Sequence, residues 1–241
     1  MPVEPAQVTV VLPTFNEREN LEPIVRAVTR LGYSVLVVDD ASPDGTGELA
    51  DVLAQEIPAV GVLHRTHKAG LGPAYAAGFR QASSDGARII CEMDADFSHD
   101  PAALPALVEA VVGGASLAIG SRYVEGGMTP DWPLHRRLLS RGGNWYARRM
   151  LDLPVRDATA GFRAYRSEAL EDLAAETCLA SGYAFQVEMT LRAADRGFTI
   201  VEVPVTFRDR KAGISKMGPK IVAEAMWLVT KWGVRRRIGK R

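Results

Sequence analysis

Short runs of β-branched and aliphatic residues alternate with stretches whose apolar positions return every three or four residues. This alternation predicts an α/β protein with a mainly parallel sheet flanked by helices. The strand candidates are Val8 to Leu12, Ser34 to Val38, Val60 to His64, Arg88 to Met93 and Ser116 to Gly120. Between the first two, Leu21, Ile24, Val25, Val28 and Leu31 recur with helical spacing, and Asn16 with Glu19 reads as a capping pair. Further helices are predicted at Thr46 to Gln55, Gly70 to Ala82 and Pro101 to Val112, the last entered through a proline suited to a first turn. After Gly120 the rhythm breaks. Ser121 to Asn144, rich in Gly, Pro, Arg and Trp, reads as a loop that meets a ligand. Val201, Val203, Val205 and Phe207 alternate with Glu202, Pro204 and Thr206, a strand that Pro204 confines to an edge or a bulge. Glu188 falls on a predicted helix. Pro219 to Trp232 reads as a helix with Ile221, Val222, Ala225, Met226, Leu228, Val229 and Trp232 on one broad face.

The chain has 241 residues, 47% of them hydrophobic, which suffices for a substantial core and excludes disorder as the main state. Twenty-nine basic residues balance 29 acidic ones, so no global field draws in nucleic acid. Cys91 and Cys178 are too few for a disulfide framework or a zinc cluster and read as small core residues. No run approaches the roughly 18 to 20 apolar residues of a membrane-spanning helix, and Met1 to Gln7 has neither a charged nor an apolar leader segment. The expectation is a cytoplasmic protein that is not integral to a membrane.

In open α/β sheets ligands bind beyond the carboxyl ends of the strands, and here those exits are acidic. The first strand runs into Pro13-Thr14-Phe15-Asn16-Glu17, the second into Asp39-Asp40-Ala41-Ser42-Pro43-Asp44, and the fourth into Asp94-Ala95-Asp96. In an extended segment Asp94 and Asp96 project from one face and can grip a hard cation, with room left for water and substrate phosphates. A DxD triplet alone is a common surface turn; its place at a strand exit beside the other acidic exits carries the metal reading. Asp40 is the preferred carboxylate for a ribose hydroxyl or base edge, while Asp44 and Thr46 fit a helix cap. Gly70-Leu71-Gly72, after Arg65 and Lys68, opens a helix where backbone N–H groups and cations suit phosphate. His64, His67, His99 and His135 have no spacing that compels a zinc site, and no catalytic role is assigned to them.

These segments together with Gly120-Ser121-Arg122-Tyr123 resemble glycosyltransferase family 2, with its GT-A fold. Asp157-Ala158-Thr159-Ala160-Gly161-Phe162-Arg163-Ala164-Tyr165 and Gly213-Ile214-Ser215-Lys216 resemble, more narrowly, the dolichol-phosphate or polyprenol-phosphate mannose synthases. The resemblance spans about residues 8 to 220. It implies inverting transfer of mannose from GDP-mannose to a polyprenyl monophosphate, using Mg2+ or Mn2+. By the same resemblance Pro13, Phe15, Glu17, Val38 and Asp40 match nucleotide-contacting positions, and Asp94, Ala95 and Asp96 match the metal-diphosphate motif. Arg122, Arg136, Ser140, Arg210 and Lys216 match positions around the donor diphosphate and acceptor phosphate, with Asp96, Arg122 and Arg136 as the catalytic set. Ser98 stands where some relatives carry a Gln metal ligand, and the membrane-spanning extension of some relatives is absent. Residues 1–241 then form one GT-A catalytic domain, with 219–241 an amphipathic helix and basic tail.

The chemistry agrees with the residues. A phosphate monoester is anionic near neutral pH, with a second pKa of about 6, so it needs no general base. It needs cations to meet a second anion, and Arg122, Arg136, Arg137 and Arg141 are interleaved with Trp132 and Trp145 in the aperiodic stretch. Lys231 to Arg241 holds six basic and no acidic residues after a helix bearing Trp227 and Trp232, a composition suited to the anionic cytoplasmic face of a membrane. A membrane-embedded subunit is the other route to anchoring. Three alternatives stay open: a UDP-glucose-dependent transferase on the same fold; a haloacid-dehalogenase-like phosphatase, whose DxDx[ST] loop normally follows the first strand; and a non-enzymatic nucleotide-sensing membrane adaptor.

Overall fold

The computed structural model describes residues 3–178, 182–209 and 219–238. Its strands are β1 (Val8–Thr14), β2 (Ser34–Asp39), β3 (Val60–His64), β4 (Ile89–Glu92), β5 (Leu117–Ser121), β6 (Arg163–Arg166) and β7 (Ile200–Pro204). The helices are α1 (Arg18–Thr29), α2 (Thr46–Glu56), α3 (Leu71–Ser84), α4 (Leu104–Val112), α5 (Leu134–Leu151), α6 (Ser167–Leu173), α7 (Gly182–Asp195) and α8 (Pro219–Ile238). The sheet order is β3-β2-β1-β4-β6-β5-β7. Only β6 runs against its neighbours, antiparallel to β4 and β5, so the sheet is mixed but mostly parallel.

Period-two alternation divides the strands between two cores. Val11, Val38, Ile90, Ile119 and Tyr165 point to one face, where α3 and α7 supply Tyr75, Phe79 and Phe185. Val10, Leu12, Val37, Cys91 and Ala164 point to the other, against Leu21, Ile24 and Val25 of α1 and Leu104 and Leu107 of α4. Gly78 of α3 lies so close to the sheet that a Cβ there would sit 2.4 Å from the Val11 side chain, which fixes this helix tightly over β1. The predicted strands and helices before Gly120 are present, Cys91 is buried, and β7 is an edge strand ending at Pro204, as the proline demands.

Four expectations are corrected. The stretch from Ser121 to Asn144 is not a loop throughout, because α5 begins at Leu134. Its apolar residues Leu134, Leu138, Leu139 and Trp145 lie outside the core, which hid the helical period. The cap of α1 is Glu17 and not Asn16, whose φ of 59° and N–H bond to the Ser42 hydroxyl place it in the preceding turn. β4 stops at Glu92, so Asp94 and Asp96 lie on a turn and not on an extended segment. On α8 the broad apolar face is not buried as a unit: Val229 is buried, Trp232 packs at the core margin, and Met226 is exposed. The helix also continues through Arg235, Arg236 and Arg237 to Ile238.

Candidate active site at the strand exits

At the β1 and β2 exits, register pairs Pro13 with Val38 and Thr14 with Asp39. Asp39 is committed inward: its carboxylate accepts from the Thr14 hydroxyl at 3.0 Å, the Ser42 hydroxyl at 2.6 Å and the Ser42 N–H at 3.0 Å. Asp40, the neighbour, is paired with Arg65 at 2.5 Å. Lys68 sits 3.8 Å over the ring of Phe15. Arg65 and Lys68, the cations before the Gly70-Leu71-Gly72 turn, stand in this structure against Asp40 and Phe15. Asp44 accepts from the N–H and hydroxyl of Thr46, the first residue of α2, whose N-cap is Gly45 and neither of the two residues expected to cap it. Glu17 is half-buried, its N–H on the Thr46 hydroxyl and its carboxylate accepting from Asn20 at 3.0 Å.

At the β4 exit Asp96 is buried and accepts the Ser98 N–H at 3.0 Å, while Asp94 accepts from the Tyr75 hydroxyl at 3.4 Å. Ala95 between them is buried. The Ser98 hydroxyl oxygen is also buried and has no hydrogen-bond partner. His99 accepts the Asp94 N–H through Nδ1 at 3.3 Å and stacks on Phe162 at 4.9 Å. Burial pushes its pKa down to about 4, against the opposing pull of Asp96, so the ring is neutral at physiological pH. Sequence reasoning gave His99 no part; only its position three residues past the DxD triplet hinted at one.

The basic residues follow β5 and open α5. Arg122 follows β5 and is buried, donating Nε and Nη2 to the two Asp157 oxygens at 2.7 Å each, and Nη2 to Thr159 Oγ1 at 2.9 Å. The rings of Tyr123, Trp132 and Phe207 surround its guanidinium at 5.3 to 5.5 Å. Gly127 presses on the same turn, where a Cβ would lie 2.6 Å from the Ser121 carbonyl oxygen. Arg136 of α5 stacks 4.1 Å over Trp132 and pairs with Asp209 at 2.6 Å. Ser140, one turn on, accepts the Tyr123 hydroxyl at 2.6 Å. The contact chain His99, Phe207, Trp132, Arg136 thereby joins the acidic exit to the basic helix. Arg210 and Lys216 lie outside the described residues.

Backbone strain gathers at the same edge. Five non-glycine residues have left-handed φ among the described residues; Asp152 and Ala174 end helices. The other three, Asn16, Ala41 and Phe97, sit at the exits of β1, β2 and β4. Left-handed backbone costs most L-residues about 1 kcal/mol or more, Asn being tolerated there, so its persistence at Ala41 and Phe97 marks the β2 and β4 exits as loops whose shape is held against local preference.

An acidic turn at the strand exits of such a sheet, joined through aromatic contacts to the buried Arg122 and the half-buried Arg136, is a place for a phosphate-bearing ligand. The chain matches glycosyl transferase family 2 over residues 9–174. It is 50% identical over 242 residues to the polyprenol monophosphomannose synthase of Mycolicibacterium smegmatis, covering 99% of this chain and 91% of that protein. It is 50% identical over 234 residues to the undecaprenyl-phosphate mannosyltransferase of Micrococcus luteus, covering 96% of each. A mannosyltransferase of Pyrobaculum calidifontis, solved with GDP-Man and Mn2+, shares the fold at 18% identity and a TM-score of 0.56, over 96% of this chain and 75% of that one. The protein belongs to glycosyl transferase family 2, and its sheet is of the GT-A type. It is therefore a glycosyltransferase, which removes the phosphatase and adaptor readings.

Proposed function

We propose that the protein transfers mannose, with inversion, from GDP-mannose to a polyprenyl monophosphate, giving β-mannosyl phosphoryl polyprenol and GDP. One observation carries this reading: the residues after the DxD triplet are joined through His99, Phe207 and Trp132 to Arg136 of α5, a helix with five arginines and no acidic residue. That pairing suits two phosphate-bearing substrates. The names of the two relatives at 50% identity support the same donor sugar and acceptor class.

Asp94 and Asp96 would hold a divalent metal, Mg2+ or Mn2+, with the buried and unpartnered Ser98 hydroxyl close by as a third oxygen. The described residues hold no cluster of three or more His, Cys, Asp or Glu. A donor set of so few protein oxygens suits a hard cation that keeps sites for phosphate and water. When bound, the metal neutralises the charge that develops on the departing diphosphate. The chain's own residues do the rest. Phe15, Glu17, Pro13, Val38 and Asp40 receive the nucleoside, Arg122 sets a fixed positive charge beside the diphosphate, and Arg136 and Ser140 receive the acceptor phosphate. Arg136 exchanges Asp209 for that phosphate, and Arg210 and Lys216 complete the cationic set. The acceptor arrives ionised, so no residue has to remove a proton from it.

Attachment at a membrane surface is supported by α5 and α8. No helix among the described residues is long and apolar enough to cross a membrane. Leu134, Leu138 and Trp145 share one stripe of α5 with exposures of 67%, 60% and 67%. Trp227 and Ile238 are exposed on α8, which packs on α5 through a bond between the Tyr146 and Thr230 hydroxyls at 2.7 Å. Apolar residues among arginines suit anionic lipid. Burying one leucine is worth roughly 1.5 to 3 kcal/mol, so Leu138→Glu is expected to weaken sedimentation with anionic vesicles about tenfold or more. Unchanged sedimentation would take α5 out of the contact and favour anchoring by a membrane-embedded subunit.

The direct test is incubation with labelled GDP-mannose, metal and polyprenyl phosphate, followed by organic extraction. Label is expected in the lipid phase. Label from UDP-glucose instead of GDP-mannose would overturn the donor assignment.

A further inference from the structure

The Thr159 hydroxyl uses every hydrogen-bonding position it has. It accepts from Arg122 Nη2 at 2.9 Å and from Asn144 Nδ2 at 2.9 Å, and donates to Asp157 Oδ1 at 3.3 Å. Asn144, buried on α5, is equally committed. Its Nδ2 also donates to the Ser140 carbonyl at 3.1 Å, and its Oδ1 accepts the Thr159 N–H at 3.3 Å. The loop that carries Thr159 is itself immobilised. Glu202 of β7 accepts the N–H groups of Arg156 and Asp157 at 2.8 and 2.9 Å. Arg163, fully buried on β6, donates to the carbonyls of Ala158 and Ala160 at 2.9 and 2.7 Å.

A second strap runs in parallel. Tyr123, next to Arg122, reaches the Ser140 hydroxyl on the same turn of α5. Two connections therefore fix one turn of α5 against the β5 exit: Tyr123 to Ser140 directly, and Arg122 to Asn144 through Thr159. No part of the strand pattern requires a hydroxyl at residue 159. Its three partners come from three separate chain segments, and two of those segments carry the donor-side and acceptor-side cations of the proposed reaction.

We infer that Thr159, gripped by Asn144, is a positioning residue that sets the distance between Arg122 and the acceptor-phosphate residues of α5. The inference rests on the transferase reading above. Neither side chain needs to touch a substrate. Each holds a cation-bearing segment in register, and in a reaction that joins two separately bound anions a misplacement of about 1 Å can cost on the order of a hundredfold in rate.

Thr159→Val keeps the side-chain shape, removes the hydroxyl and leaves Arg122 and Asn144 each short of one acceptor. It is expected to lower kcat about 10- to 100-fold and raise the KM for polyprenyl phosphate, with the KM for GDP-mannose held within about twofold. Thr159→Ser restores the hydroxyl and is expected to recover most of the loss. Asn144→Ala should give the same signature. The double variant should be little worse than either single one, because both remove the same link. Circular dichroism and thermal melts accompany each variant, and Asn144→Ala serves where Thr159→Val fails to fold. The inference is overturned if folded Thr159→Val keeps parental kinetics, if both KM values rise in parallel, or if Thr159→Ser is as impaired as Thr159→Val. Absence of labelled lipid from the parent protein is a different failure and overturns the transferase reading itself.

Discussion

Replacing Asp96 by asparagine is expected to lower mannosyl transfer by roughly a thousandfold, the scale on which removal of a single charge-stabilising group at a reacting centre acts. Asp96 is buried, its Oδ1 oriented by the Ser98 N–H at 3.0 Å, so asparagine fits the space and keeps that bond through its carbonyl oxygen. What is lost is the negative charge that holds a cation. Asp94 is less buried than Asp96, and its carboxylate accepts from the Tyr75 hydroxyl at 3.4 Å. Asp94→Ala is therefore expected to weaken donor binding and rate together, by less than Asp96→Asn does. Chelation of divalent metal should reproduce the Asp96→Asn result in the parent protein, and the chelator should add nothing to the variant. Activity of Asp96→Asn above about a tenth of the parental value would take Asp96 out of the metal site.

How much of this was legible beforehand follows the kind of signal each element carries. Alternation of buried strands and amphipathic helices was plain up to Gly120, because those helices bury one stripe and solvate the rest. α5 broke that pattern for a physical reason. It turns Leu134, Leu138, Leu139 and Trp145 outward, carries arginines on most other positions, and has Gly142-Gly143 at its centre. A helix whose apolar residues meet something other than its own core does not show the usual period. β6 was missed as a strand because its four residues begin with a buried arginine, and a charge there masks a central, fully covered strand. Arg163 is tolerated because three oxygen atoms, of Ala158, Ala160 and Tyr165, accept from it and the carboxylates of Glu92 and Asp157 lie within reach of its charge.

The acidic exits were readable as a group, since their spacing after strands is a local property. Their division of labour was not. Asp39 and Asp40 are adjacent, yet one organises its own loop and the other meets Arg65, a choice made by the direction in which each leaves the strand. The Thr159 node is further from sequence logic, because residues 122, 144, 157 and 159 meet only after the antiparallel β6 returns the chain between β4 and β5. The resemblance drew attention to the segment from Asp157 to Tyr165 but not to what its threonine holds.

The largest expected effect on stability belongs to Asp157→Ala. Asp157 is fully buried and receives three bonds from Arg122: the backbone N–H at 3.0 Å, and Nε and Nη2 at 2.7 Å each. Truncating it leaves the Arg122 guanidinium, itself 6% exposed, without its counter-ion. Breaking a buried pair from one side costs about 3 to 5 kcal/mol, which for a protein of this size is a fall in Tm of roughly 10 °C. The pH dependence has a definite sign. Burial by itself would raise the Asp157 pKa, but the charge and hydrogen bonds of Arg122 outweigh it and hold the carboxyl below its usual value of 3.8. A carboxyl depressed in the folded state contributes stability that is fully present above the unfolded pKa and is lost as pH falls through the folded one. The parent protein should therefore lose stability steeply below about pH 4, and Asp157→Ala should show a shallower acid limb from a lower plateau. Denaturant melts of both proteins across that range measure the difference directly. Parallel acid limbs, or a Tm within about 2 °C of the parent at neutral pH, would mean that Arg122 finds another partner and that the pair does not hold the β5 exit in place.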